Sequence, residues 1–180
     1  MELKGSKTEA NLMAAFAGES QARNKYTYYA GQARKDGFVH IAEIFEETAN
    51  NEREHAKLWL KHLHGGKLPG TEANLKDAAA GENYEYEEMY PEFAKVAHEE
   101  GFSAIAKQFE QVSLIEKSHA DRYLHILANV QNKRVFEKSA PVTWYCSNCG
   151  YLHEDTKAPE SCPVCVHPQS FFYPRNENYR

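Results

Sequence analysis

No cysteine occurs before residue 146, and only two of the seven prolines, Pro69 and Pro91, fall in the first 140 residues. The first absence excludes a disulfide framework for most of the chain, and the second leaves room for long uninterrupted helices. No run approaches the roughly 20 apolar residues that a membrane helix needs. The opening Met1-Glu2-Leu3-Lys4-Gly5 lacks the apolar stretch of a secretion signal, so a soluble cytoplasmic protein is expected. Basic residues are outnumbered, 21 against 26 acidic, and form no clustered face, which argues against a nucleic-acid partner. There is no Gly-x-Gly-x-x-Gly, so no Rossmann finger binds a nicotinamide cofactor. With 42% hydrophobic residues among 180, the chain can bury one good core and a small satellite.

What is present is helical periodicity. Leu12, Ala15, Phe16, Glu19, Ala22, Tyr26, Ala30 and Ala33 fall on one helical face. Ile41, Ile44, Phe45, Thr48, Glu52, His55 and Trp59 mark a second helix, and a third runs from about Tyr84 to Glu100. Ile105, Phe109, Val112, Glu116, His119 and Tyr123 mark a fourth. The halves repeat with an offset of 64 residues: Gly37-Phe38 matches Gly101-Phe102, Tyr26 matches Tyr90, and Glu52 and His55 match Glu116 and His119. Two copies of a helix pair, each turning at its Gly, predict an all-α four-helix bundle with internal pseudo-twofold symmetry over residues 1–130. A linker is expected at 131–141. A second domain is expected at 142–180, where Cys, Pro and aromatics replace the helical period and a metal must supply the stability that so few residues lack.

Carboxylates lie where apolar residues belong. Glu19, Glu52 and Glu116 sit within the apolar stripes, and His55 and His119 follow the last two at i+3, on the same face. Several buried carboxylates require a compensating cation. One Glu from each of two helices plus Glu-x-x-His from each of the other two is the pattern of di-iron carboxylate bundles. Glu19 and Glu85 are expected to supply the single carboxylates, and Tyr26, two turns beyond Glu19, a supporting hydrogen bond. Glu88, one turn from Glu85, is a spare seventh ligand. Five glutamates suit an oxidised, oxo-bridged pair, and four suit a reduced pair if Glu88 left and neutral His55 took its place. Pro91 is expected to leave the carbonyl of Glu87 without its donor and to kink the helix, making room for that exchange. Glu46, Glu47, Glu54 and Glu110 point away from the stripes and are read as surface charge.

In the tail, Cys146-x-x-Cys149 and Cys162-x-x-Cys165 are two knuckles twelve residues apart, a strong signature of a four-thiolate tetrahedral site. Such a site suits zinc or a single iron. Beside a redox-capable bundle, an electron-carrying iron is favoured.

These motifs (Ala17-Gly18-Glu19-Ser20, Glu52-x-x-His55, Glu85-x-x-Glu88-Met89-Tyr90-Pro91, Glu116-x-x-His119 and the four cysteines) resemble the rubrerythrin family essentially end to end. The resemblance implies a ferritin-like bundle, up-down with one long crossover, followed by a rubredoxin-like domain of short strands and turns. It implies an oxo-bridged di-iron site on Glu19, Glu52, Glu85, Glu88, Glu116 and His119, with His55 replacing Glu88 on reduction, and a single iron on Cys146, Cys149, Cys162 and Cys165. It further implies a peroxidase that reduces hydrogen peroxide and protects against oxidative stress, a head-to-tail homodimer, and electrons from NAD(P)H through a separate reductase or rubredoxin. The rival readings are a ferroxidase or iron-handling protein, a zinc-ribbon interaction module on a structural bundle, and a metal sensor. Val166 stands where such knuckles often place Gly after the second Cys, so a different local turn is expected there.

Overall fold

The structure, a computed structural model, describes residues 2–177 and divides into two compact units, Met1–Pro69 and Gly70–Arg180. The last three residues of the expected tail domain lie outside the described residues.

The first unit is a helical hairpin. The Ser6 hydroxyl accepts the Glu9 N–H at 3.1 Å and opens α1 (Lys7–Lys35), while the Glu9 carboxylate reaches back to the Gly5 N–H at 2.6 Å. One orphan donor of the helix start and the N–H just ahead of the cap are thereby satisfied. The chain reverses at Gly37, whose φ of +85° is open to glycine at no cost, and the Phe38 N–H returns to the Ala33 carbonyl at 2.8 Å before α2 (Val39–Leu63) begins.

The second unit repeats this plan. Gly101 has φ +87°, and the Phe102 N–H returns to the Ala97 carbonyl at 2.8 Å. The corresponding long helix starts at Thr71, well before the expected position, and runs as α3 (Thr71–Tyr84), a π-helical turn (Glu85–Met89) and α4 (Tyr90–Glu99). α5 (Ser103–Gln131) packs against all three segments. The 64-residue offset reappears as side-chain contacts. Arg34–Glu46 at 2.7 Å is matched by His98–Glu110 at 3.1 Å, and the aromatic trio Tyr26, Tyr29, Phe45 is matched by Tyr90, Phe93, Phe109.

Both hairpins close on small residues. The buried positions of α2 are Ala42, Ala49 and Ala56, seven apart, and those of α5 are Ala106, Ser113, Ala120 and Leu127. Small side chains line the face of α2 that meets α1, with Phe45 packed beside Ala30, Ala33 and Ala42, while Ile41, Ile44 and Leu58 are exposed.

The expected linker at 131–141 is shorter than the sequence suggests: Gln131 ends α5 and Glu137 already opens β1 (Glu137–Cys146). β1 is the middle of an antiparallel sheet, between β2 (Leu152–Lys157) and β3 (Phe172–Pro174). The register shifts between Glu137 and Val142, around Pro141, which has no N–H for a ladder. Buried Trp144, Ala158 and Phe172 surround Cys146 and Cys162, and the Trp144 indole donates to the Asp155 carbonyl at 3.0 Å.

Candidate metal centres

Each unit gathers two carboxylates and an imidazole whose ligand atoms lie within 4.8 Å of one another. In the first unit these are Glu19 on α1 and Glu52 and His55 on α2. His55 Nδ1 stands 2.7 Å from Glu52 Oε2 and 3.9 Å from Glu19 Oε1. The i, i+3 spacing puts the two α2 ligands on one face, and Ala49 and Ala56, buried on either side of Glu52, seat that helix close to α1.

In the second unit the group is Glu82, Glu116 and His119. His119 Nδ1 lies 2.8 Å from Glu116 Oε2 and 3.5 Å from Glu82 Oε2. The carboxylates of Glu52 and Glu116 are the most shielded, with side chains 17% and 14% exposed, and His55 is the most open at 54%. Burial holds Glu82 above the ordinary carboxylate range, the hydrogen bond and charge of Glu116 push it further, His119 opposes them, and the charge of Glu85 adds the smallest push upward. Like carboxylates crowded in this way call for a cation, and oxygen and imidazole donors suit iron or manganese.

Glu82 is the residue that sequence reasoning missed. It lies 63 residues from Glu19, not 64, because the π-helical turn between it and Tyr90 takes up one extra residue. Applying the constant offset to Glu19 lands on Asn83. Glu85 is half-buried in the π turn and acts on the cluster through its charge, whereas Glu88 is exposed and joins neither group. The signal available in the sequence was Glu82-x-x-Glu85 lying directly upstream of a helix that must accommodate Pro91.

Pro91 also acts differently from the expectation. In π geometry its missing N–H would have met the carbonyl of Tyr86, not Glu87, and Tyr86 accepts a hydrogen bond from the Ser113 hydroxyl of α5 instead, at 3.1 Å. Tyr26 is held in its aromatic trio. Its counterpart Tyr90 feels the cluster: burial first, then the charges of Glu85, Glu116 and Glu82, hold its hydroxyl protonated above the usual tyrosine range.

The tail gathers Cys146, Cys149, Cys162 and Cys165, all unpaired in disulfides. Cys146–Cys165 and Cys149–Cys162 sulfurs stand 3.7 and 3.6 Å apart. A disulfide would need about 2.05 Å, while a tetrahedron with metal–sulfur bonds of about 2.3 Å has edges of about 3.8 Å. The spacing is that of a metal site. The Tyr151 N–H favours the Cys149 thiolate, but burial and the three neighbouring thiols push that group up to about 12. The His167 N–H chiefly lowers Cys165, to about 6. Four sulfurs in one pocket cannot all ionise without a cation.

The two knuckles are alike in spite of Val166. Gly150 (φ +81°) donates to the Cys146 carbonyl, and Val166 (φ +62°) donates to the Cys162 carbonyl, both at 2.9 Å. The turn needed to bring both cysteines to one metal overrides the preference of a β-branched residue, which is left 79% exposed. Among the described residues no helix is long and apolar enough to cross a membrane.

A family model described as Rubrerythrin matches residues 10–127, and one described as Rubrerythrin, rubredoxin-like domain, matches residues 144–173. The chain is 51% identical to a rubrerythrin of Nitratidesulfovibrio vulgaris, in a match covering 94% of this chain and 95% of that one. It is 48% identical to a rubrerythrin of Porphyromonas gingivalis, covering 98% and 94%. A solved structure of nigerythrin in a partially reduced state is 33% identical over 96% of this chain and 91% of its own, with a TM-score of 0.37.

Proposed function

The chain belongs to the rubrerythrin family, an oxidoreductase family with a di-iron site and a four-cysteine iron site, and on that premise we propose that it reduces hydrogen peroxide to two waters. The observation that carries this reading is the pairing, in one chain, of carboxylate and imidazole triads with a sulfur tetrahedron of metal-site dimensions. When bound, the irons supply electrons, two at once from the pair and one at a time from the sulfur-held iron that refills it.

Glu19, Glu52, His55, Glu82, Glu116 and His119 hold the pair in this reading, and Glu85 completes the set. The place expected for Glu88 passes to Glu82. The ligand exchange on reduction is assigned to Glu85 and His55, since His55 is the most open ligand and Glu85 sits in the π turn. Each turnover consumes two protons, and the Tyr90 hydroxyl, held protonated beside the carboxylates, orients peroxide and passes one of them on. In this reading residues 1–130 form the bundle domain, and the electron-carrying domain opens with β1 at Glu137. A head-to-tail homodimer sets the tail iron of one chain beside the bundle of the other, with electrons from NAD(P)H through a reductase or rubredoxin in the cytoplasm.

Anaerobic titration of the fully reduced protein decides the reaction. Both chromophores are expected to reoxidise rapidly with hydrogen peroxide and slowly with oxygen. Faster reaction with oxygen would make the protein a ferroxidase, and a colourless tail would make it a zinc ribbon.

A further inference from the structure

The two hairpins carry their charges differently beside the alanine seams. In the first unit α1 and α2 enclose a groove of about 270 Å3. Helical geometry sets it on the side of the seam away from the metal ligands. At 100° per residue, Glu52 and His55 project to one side of Ala56, and Arg53, Lys57 and Leu60 to the other. α1 supplies the facing wall with Phe16, Ser20, Arg23 and Asn24. The Ser20 hydroxyl donates to the Phe16 carbonyl at 2.7 Å, so its proton is already engaged.

Three cations line this groove and share one carboxylate. Arg53 Nε lies 3.2 Å from Glu54 Oε1, and the Lys57 ammonium contacts the other oxygen of the same group. Among the described residues Arg23 has no acidic partner, and the Asn24 side-chain amide has no hydrogen bond. Two positive charges are thus left unanswered in a confined space, where like charges repel.

The second unit shows the same place without that excess. Arg53, Ala56, Lys57 and Leu60 correspond at the 64-residue offset to Lys117, Ala120, Asp121 and Leu124. Lys117 bonds Asp121 at 2.8 Å and stands over the Tyr86 ring, 5.9 Å from its centroid. Arg23 corresponds to Tyr86 or Glu87, according to where the extra residue of the π turn is counted. The seam alanine and the leucine are kept while the charges neutralise one another. A hairpin of this design therefore folds without unpaired cations, and those of the first unit call for a ligand.

Their chemistry selects the ligand. Guanidinium groups grip tetrahedral oxyanions through paired N–H donors, and a lysine adds a mobile point charge. Two unanswered charges match a phosphoryl dianion better than a single carboxylate. The volume suits a small molecule, and Phe16 and Leu60 offer apolar contact to an organic body. We propose that the α1–α2 groove binds a phosphoryl group, as free phosphate or as a small phosphate monoester, with Arg23, Asn24, Arg53 and Lys57 on its oxygens.

Calorimetric titration of the full-length, iron-loaded protein tests it, with phenyl phosphate, inorganic phosphate and benzoate as probes. One phosphate or phenyl phosphate is expected per chain, each held more tightly than benzoate. Phenyl phosphate bound more tightly than inorganic phosphate identifies a monoester site, and equal affinity identifies a site for phosphate itself. Arg23→Gln is expected to weaken either ligand about tenfold or more, the loss of a charge-assisted contact. Lys57→Asp gives the groove the internal pair of its counterpart and is expected to abolish binding, while Lys117→Gln in the second unit leaves it unchanged. Bundle iron absorption is followed throughout as a marker of the fold and of the irons themselves. No binding by the wild type, benzoate bound as tightly as phenyl phosphate, or affinity untouched by Arg23→Gln and Lys57→Asp overturns the proposal. So does phosphate that alters the iron absorption, which would place it on the metals.

Discussion

The two helical hairpins are near copies, and the places where they differ say more than the places where they agree. Turn glycines, aromatic trios and bridging pairs repeat at 64 residues. The copy fails in one segment: where α1 is regular, the second unit has a π turn, and where α2 carries Ala49, α5 carries Ser113. The two differences are one device. An inserted residue re-aims Glu85 toward the carboxylate cluster, Pro91 leaves the Tyr86 carbonyl without a helical partner, and the hydroxyl of Ser113 satisfies it. The repeat builds the two carboxylate–imidazole triads, and its local breach gives one of them an extra neighbouring carboxylate, Glu85.

The sharpest test of that asymmetry is the choice between Glu82 and Glu88. Glu82→Ala is expected to lower iron affinity of the bundle by about 100-fold or more, the upper range for losing even an outer-shell partner. Glu88→Ala should leave metal content of the purified protein within a factor of two. If the two variants behave alike, the π turn does not select the ligand.

Next comes the hydroxyl. Ser113→Ala strands a shielded carbonyl and is expected to cost about 1–2 kcal/mol in denaturant unfolding. Deleting Glu87 should restore a regular helix, making the second hairpin a copy of the first. Glu82 then stands seven residues before Tyr90, as Glu19 stands before Tyr26, so the triad persists, while Glu85 turns away from it. In that background the residue four before Pro91 is again Tyr86, whose carbonyl still lacks a helical donor, so Ser113→Ala should cost the same about 1–2 kcal/mol, read by a double-mutant cycle. A much smaller cost there would tie the serine to the π turn itself and not to Pro91.

The tail offers the same comparison on a smaller scale. Val166→Gly should stabilise the domain by about 1 kcal/mol, and Gly150→Val should destabilise it by about 1–2 kcal/mol, the cost of a left-handed residue with a Cβ. Thermal unfolding followed at the thiolate–metal absorption reads both. Smallest of all are the matched surface pairs: Arg34→Ala and His98→Ala should each change stability by under about 1 kcal/mol.

The repeat, both Glu-x-x-His pairs and the cysteine tetrahedron were legible in the sequence, because each is a fixed spacing on an element whose period is known. Glu82 was not. An inserted residue leaves no mark of its own in a run of glutamates, and Glu85-x-x-Glu88 imitates Glu82-x-x-Glu85 one turn on. The stripes mark faces only in part: the hairpins close on alanines, and Ile41, Ile44 and Ile105 of those stripes stay half exposed. The start of β1 was hidden by its polar opening, Glu137-Lys138-Ser139, which reads as a connection until the strand meets Trp144.

The alanine seams have a consequence for evolution under mutation. A seam already built from near-minimal side chains has almost nothing left to lose by truncation, and only enlargement can harm it. Since Ala49 and Ala56 flank Glu52, and Ser113 and Ala120 flank Glu116, a single bulky replacement would act as a shim, widening the gap between opposing ligands. The seams are thus a gauge block: their small side chains set how far apart the opposing carboxylates of each triad stand.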